Sequence, residues 1–133
     1  MLGTFGGALE ARKIERARAM HAAALAKDER RFFMACAELL ETRGGRYERA
    51  ALDYSRRCFE PMFSSPFRMT HAYVRELVHS VGELKKTFWA RDGSFTSLPP
   101  DMVFLNRLQF GFYSVLARLD VEVDYAAVER DFL

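Results

Sequence analysis

The sequence predicts an all-α fold, a bundle of about five to six helices. Three observations carry that expectation. Apolar residues recur at three- to five-residue steps in successive stretches, the spacing that lines one face of a helix. Capping and breaking residues separate the stretches: Asp28, Gly44-Gly45, Pro61, Thr70, Pro99-Pro100 and Asp124. No run alternates apolar and polar residues as a half-buried strand would.

The elements follow in order. Leu9, Ile14, Ala17, Met20, Ala24 and Leu25 form the first stripe, and the alanines favour helix intrinsically. Glu10 lies near its start, where the helix dipole favours a negative charge. Lys27-Asp28 breaks the pattern, and the Asp28 carboxylate can accept from the free N–H groups of the next helix. That second helix carries Phe32, Phe33, Cys36, Leu39 and Leu40, and Arg43-Gly44-Gly45 is expected to stop it. A third carries Tyr47, Ala50, Ala51, Tyr54 and Cys58 and ends near Glu60, because Pro61 has no N–H to donate.

Residues 61–69 read as an irregular apolar linker. Thr70 caps a fourth helix with Val74, Leu77, Val78, Val81, Leu84 and Phe88 on one stripe, weakened at Gly82. Residues 90–100 form a loop with a turn at Asp92-Gly93. A fifth helix runs to about Leu119, with Val103, Phe104, Leu108, Phe112, Val115, Leu116 and Leu119 as its apolar positions. Val121-Glu122-Val123 is a short loop, and Asp124 caps a last short helix with Ala127 and Val128. The whole chain, 1–133, reads as one helical domain with a flexible start at residues 1–7.

Composition bounds the function. Hydrophobic residues make up 50% of the chain and charged residues 29%, which is globular rather than disordered. The net charge of +2 is too small to argue for nucleic acid, and no recognition motif stands out, so no nucleic-acid partner is expected. Residues 1–57 carry +4 and residues 58–133 carry −2. A basic first half can meet phosphates or an acidic membrane surface, although mixed charges of this kind usually form a solvated helix face. Cys36 and Cys58 make neither a CxxC pair nor a disulfide framework and suit a reducing, cytoplasmic setting. Residues 1–20 carry several charges and no apolar core of a signal peptide. The charge-free stretch from Leu108 to Ala117 is too short to span a bilayer.

No catalytic residue can be assigned from pattern alone. Glu76 and His79 form a Glu-x-x-His on a helix, so both side chains share a face and are the weak metal-ligand pair of the chain. A di-iron site needs two such motifs and further glutamates, and no second one is present. No H-E-x-x-H occurs, and His71 and His79 are spaced poorly for joint chelation. His21 stands among alanines and reads as a surface or boundary residue. Gly3-Thr4-Phe5-Gly6-Gly7 precedes a helix but matches neither phosphate-binding glycine pattern. The 12 phenylalanines and 6 methionines line helices that pack as core, or that hold a lipid or quinone between them.

Leu98-Pro99-Pro100-Asp101-Met102-Val103-Phe104-Leu105-Asn106-Arg107, then Gly111 and Leu116-Ala117-Arg118-Leu119, resembles the closing helices of the ABC1/AarF/UbiB atypical kinase-like family. At the start, Leu2-Gly3-Thr4-Phe5-Gly6, a helix, and Ala24-Leu25-Ala26-Lys27-Asp28-Glu29-Arg30 resemble that family's metal-binding D-F-G loop and the stretch after it. The resemblance implies the helical tail of a kinase-like C-lobe. It places Thr4, Phe5 and Gly6 on a degenerate metal loop, with Thr4 where the magnesium-binding aspartate belongs. A neutral hydroxyl is a far weaker magnesium ligand than a carboxylate. The family uses ATP and magnesium and supports isoprenoid quinone biosynthesis or lipid homeostasis, often at membranes. The resemblance implies that this chain lacks the nucleotide-binding lobe and catalytic loop, so no cofactor is expected for it alone. It further implies an apolar patch, left where the missing lobe would pack, that takes a protein partner, a second copy or a lipid surface.

Overall fold

The computed structural model describes the backbone of residues 4–89 and 100–131, and the side chains of 11–86 and 108–131. Among the described residues the secondary structure is helical apart from one two-residue ladder. The order is α1 (Thr4–Leu25), α2 (Glu29–Leu40), α3 (Gly45–Cys58), α4 (Glu60–Phe63), β1 (Phe67–Arg68), α5 (His71–Trp89), α6 (Pro100–Leu119), β2 (Glu122–Val123) and α7 (Tyr125–Arg130).

The caps explain most boundaries. At the α1–α2 turn Lys27 is left-handed, with φ of 55°. The Asp28 N–H closes onto the Ala23 carbonyl at 2.9 Å, satisfying a carbonyl that the helix end leaves free. The Asp28 carboxylate then accepts from the Arg31 N–H at 3.1 Å and starts α2. Thr70 Oγ1 accepts from the Tyr73 N–H at 3.1 Å, and Asp124 Oδ1 accepts from the Ala127 N–H at 3.0 Å, so α5 and α7 begin by the same device.

Three boundaries differ from the sequence reading. Helix α2 stops at Leu40, because Glu41 adopts the left-handed conformation that Gly44 and Gly45 were expected to supply. Those glycines instead start α3, where the Gly44 N–H donates to Glu48 Oε2 at 2.8 Å. Within the expected linker at 61–69, Pro61 enters the one-turn helix α4, a position where a missing N–H costs no hydrogen bond. Downstream, Phe67 pairs with Val123 and Arg68 with Glu122 in an antiparallel register, where loops were expected. The flexible start expected at residues 1–7 is helical from Thr4 onward, and the loop expected at 90–100 lies outside the described residues up to Pro100.

The core lies where α1, α2, α3, α4 and α5 converge. Met20 and Ala24, Phe32 and Cys36, Tyr47 and Ala51, and Leu77 and Leu84 are buried there. Phe32 is fully buried, and its ring centroid lies 5.1 Å from Phe59 and 5.3 Å from Phe63. Aromatic clusters of this kind add stability beyond their buried area.

Two stripes pack differently from their periodicity. Ile14 is 54% exposed, and residues 11–15 of α1 all face solvent. A 22-residue helix is about 33 Å long while its 12-residue neighbour α2 is about 18 Å, so α2 is too short to run along all of α1. On α6, Leu108, Phe112, Val115 and Leu119 were expected in the core and are exposed. The helix instead turns Phe110, Tyr113 and Ala117 inward. Val78 of the expected α5 stripe is likewise exposed, while Leu77 and Leu84 are buried.

Candidate functional site

The residues singled out from sequence do not assemble. Thr4, Phe5 and Gly6 sit in the first turn of α1, and their side chains lie outside the described residues. Glu76 and His79 both face solvent on α5. His79 Nε2 is 3.8 Å from Glu83 Oε1, and that carboxylate also accepts from Lys86 Nζ at 2.8 Å. Among the described residues no three His, Cys, Asp or Glu side chains come together at metal-binding range. His71 is exposed as well.

Three other features emerge from packing. The first is a cavity of about 80 Å³ between α1, α2, α3, α5 and α6, partly open at its mouth. Met20, Leu40, Ala51, Phe59 and Leu84 form its apolar wall, and Cys36 and Cys58 both reach it. Tyr54, Ser55 and Gln109 supply the polar atoms, and no charged side chain among the described residues lines it. Both thiols are free and buried. Burial pushes the Cys36 thiol up to about 11 and the Cys58 thiol up to about 12, so both stay protonated at neutral pH. A protonated thiol is a poor nucleophile, and no base among the described residues lines the cavity to activate it.

The tyrosines around this cavity differ in their partners. Gln109 Nε2 donates to the Tyr113 hydroxyl at 3.0 Å, and that hydroxyl donates to the Cys58 carbonyl at 3.0 Å. The Tyr73 hydroxyl donates to the Arg57 carbonyl. By contrast, the buried Tyr54 hydroxyl makes no hydrogen bond of acceptable geometry. The Cys58 thiol lies beside it and offers at most a weak sulfur acceptor. Burial raises the Tyr54 hydroxyl far above its ordinary value, so it acts only as a neutral donor.

The second feature is a charged knot on the α2–α3–α4 face. Arg56 donates from Nε to Glu29 Oε1 at 2.8 Å and from Nη1 to Glu60 Oε2 at 2.7 Å. Its guanidinium lies 3.7 Å from the Phe63 ring centroid. Burial would raise the Glu60 carboxyl, but the Ser64 hydroxyl and Arg56 outweigh it and hold the group below its ordinary value.

The third is the outer face of α6. Leu108 is 45% exposed, Phe112 67%, Val115 56% and Leu119 60%. Their 4-3-4 spacing puts all four on one line along the helix. Single apolar residues on a surface are ordinary, whereas these four form a continuous line.

Sequence reasoning named most of these residues but not their grouping. Cys36 and Cys58 read as two separate helix residues and meet at one cavity only because α2 packs on α3. His21, expected at a boundary, is half-buried and bonded through Nδ1 to Glu129 Oε1 of α7. Its ring also packs edge-on against Phe59, with centroids 4.8 Å apart. No helix among the described residues is long and apolar enough to cross a membrane. Comparison with protein-family models, curated proteins and solved structures gave no match.

Proposed function

We propose that the chain is a non-catalytic helical module that pairs with a second copy of itself through the exposed line of α6. The observation that carries this reading is the alignment of Leu108, Phe112, Val115 and Leu119 on one solvent-facing stripe. A 4-3-4 spacing reads the same in both directions. Two antiparallel copies of α6 related by a twofold axis therefore set Leu108 against Leu119 and Phe112 against Val115, a self-complementary contact. A stable interface usually buries about 800 Å² per partner, and one helix face offers less, so the pairing is weak and concentration-dependent.

The resemblance to the ABC1/AarF/UbiB family supplies a setting for such a module. On that reading the chain is a divergent member, linked to quinone biosynthesis or lipid homeostasis, and the exposed face of α6 is where it meets a partner. What supports it is the motif run from Leu98 to Leu119. A second reading, an apolar-ligand site, is favoured by the cavity beside Tyr54.

Light scattering over a concentration series tests the pairing. The apparent mass should climb toward that of a dimer, and Phe112→Glu should hold the chain monomeric with its helical circular dichroism unchanged. A chain that stays monomeric at every concentration would overturn the reading. Thermal melts with and without magnesium-ATP test the second half of the proposal. A ligand that binds only the native state raises the melting temperature, so the expected result is no shift.

A further inference from the structure

We propose that the cavity beside Tyr54 is a binding site for a small, uncharged, largely apolar molecule carrying one carbonyl, which accepts the Tyr54 hydrogen bond. Tyr54 is 6% exposed, lines the cavity, and its hydroxyl has no oxygen or nitrogen partner, only the weak Cys58 sulfur beside it. Buried donors are almost always satisfied, so an orphan donor on a cavity wall points to a group that fills it.

The wall sets the chemistry of that group. With no charged side chain among the described residues of the lining, an anion or cation would give up its hydration for nothing. The Gln109 amide already donates an N–H to the Tyr113 hydroxyl, which leaves Tyr54 as the donor on this wall best placed for a ligand acceptor. A carbonyl accepts from Tyr54 and adds no donor of its own to be satisfied. The remaining wall, from Met20, Leu40, Ala51, Phe59 and Leu84, suits a hydrocarbon body.

Size narrows it further. An apolar cavity of about 150 Å³ in another protein holds benzene, so about 80 Å³ corresponds to roughly three to five non-hydrogen atoms. The ligand is therefore a short ketone, or the ketone end of a longer chain that enters through the open mouth. This inference does not depend on the α6 surface.

Titration of the isotope-labelled chain with 2-butanone, followed by amide chemical shifts, tests it. Saturable shifts are expected at Ala51, Cys58 and Leu84. Tyr54→Phe keeps the shape of the wall and removes only the donor. It should weaken 2-butanone about tenfold, the scale of one neutral hydrogen bond, and leave cyclopentane unweakened. Repeating the titration with 2-octanone distinguishes the two sources. Tighter binding supports entry of a chain end, and binding of 2-butanone alone supports a free small molecule. Three results would overturn the proposal. They are an absence of saturable shifts, an equal 2-butanone affinity in Tyr54→Phe, or a crystal structure grown with 2-butanone that holds only an ordered water on Tyr54.

Discussion

His21 near the end of α1 and Glu129 on α7 are joined by a hydrogen bond from imidazole Nδ1 to carboxylate Oε1, across 108 residues of sequence. Both side chains are about two-thirds buried, and Phe59 closes one side of the ring. This contact ties the C-terminal helix to the first hairpin. Glu129→Ala should lower stability by about 1 kcal/mol, the usual worth of a part-buried hydrogen bond to a carboxylate. In a chain of this size that is a fall of about 3–5 °C in Tm. Glu129→Gln keeps an acceptor and should recover part of it. Thermal melts followed by circular dichroism measure both.

Tyr54 and Tyr113 should respond in opposite ways to loss of their hydroxyls. Tyr113→Phe removes the bond to the Cys58 carbonyl and strands the Gln109 amide, so a loss of about 1 kcal/mol is expected. Tyr54→Phe deletes a buried hydroxyl that has no oxygen or nitrogen partner. The empty chain should then be unchanged or more stable by up to about 1 kcal/mol. Urea midpoints of the two variants beside the parent decide this. A destabilised Tyr54→Phe would mean that the hydroxyl is bonded in solution.

Local signals were legible and long-range ones were not. Asp28, Thr70 and Asp124 announced three helix starts because a cap acts within three residues of itself. The end of α2 was misplaced because Glu41, a residue that rarely turns left-handed, does so ahead of two glycines. The buried face of α6 could not be chosen, since Phe110, Phe112, Tyr113, Val115 and Leu116 put apolar groups on more than one side. The β1–β2 ladder spans too few residues to leave an alternating pattern. The cavity and the His21–Glu129 contact depend on which helices pack together, and one sequence carries no sign of that.

The Arg56 knot should make stability depend on acid. The Glu60 carboxyl sits below its ordinary value of 4.5 in the folded chain. A lowered carboxylate stabilises the fold fully above that value, and the contribution disappears as pH falls through the lower, folded-state value. Urea midpoints should therefore drop between about pH 5 and pH 3. In Glu60→Gln the drop should be smaller, because that carboxyl no longer titrates. Arg56→Ala should show a lower midpoint at pH 7 as well, having lost both ion pairs and its contact with Phe63.

At the alkaline end the two thiols act in the other direction. Burial raises Cys36 to about 11 and Cys58 to about 12 from an ordinary value of 9.0. The folded chain thus keeps two protons that the unfolded chain gives up. A raised value stabilises the fold fully below the ordinary one, and the contribution fades as pH rises toward the folded-state value. Stability should decline above about pH 9, by up to about 1.4 kcal/mol per pH unit for each thiol. Tyrosines raised from an ordinary value near 10 join the decline within the same range, so the cysteine share is read as the difference between the parent and a variant without the thiols. Replacing both with alanine should reduce the fall in urea midpoint between about pH 9 and pH 10 without abolishing it. In the parent chain at pH 8, the fraction of thiolate is about 0.1% or less at either site. Ellman's reagent should therefore react at least about a hundredfold more slowly with the native chain than with the chain in urea. Rapid native labelling of either cysteine would place it at the surface and remove it from the cavity wall.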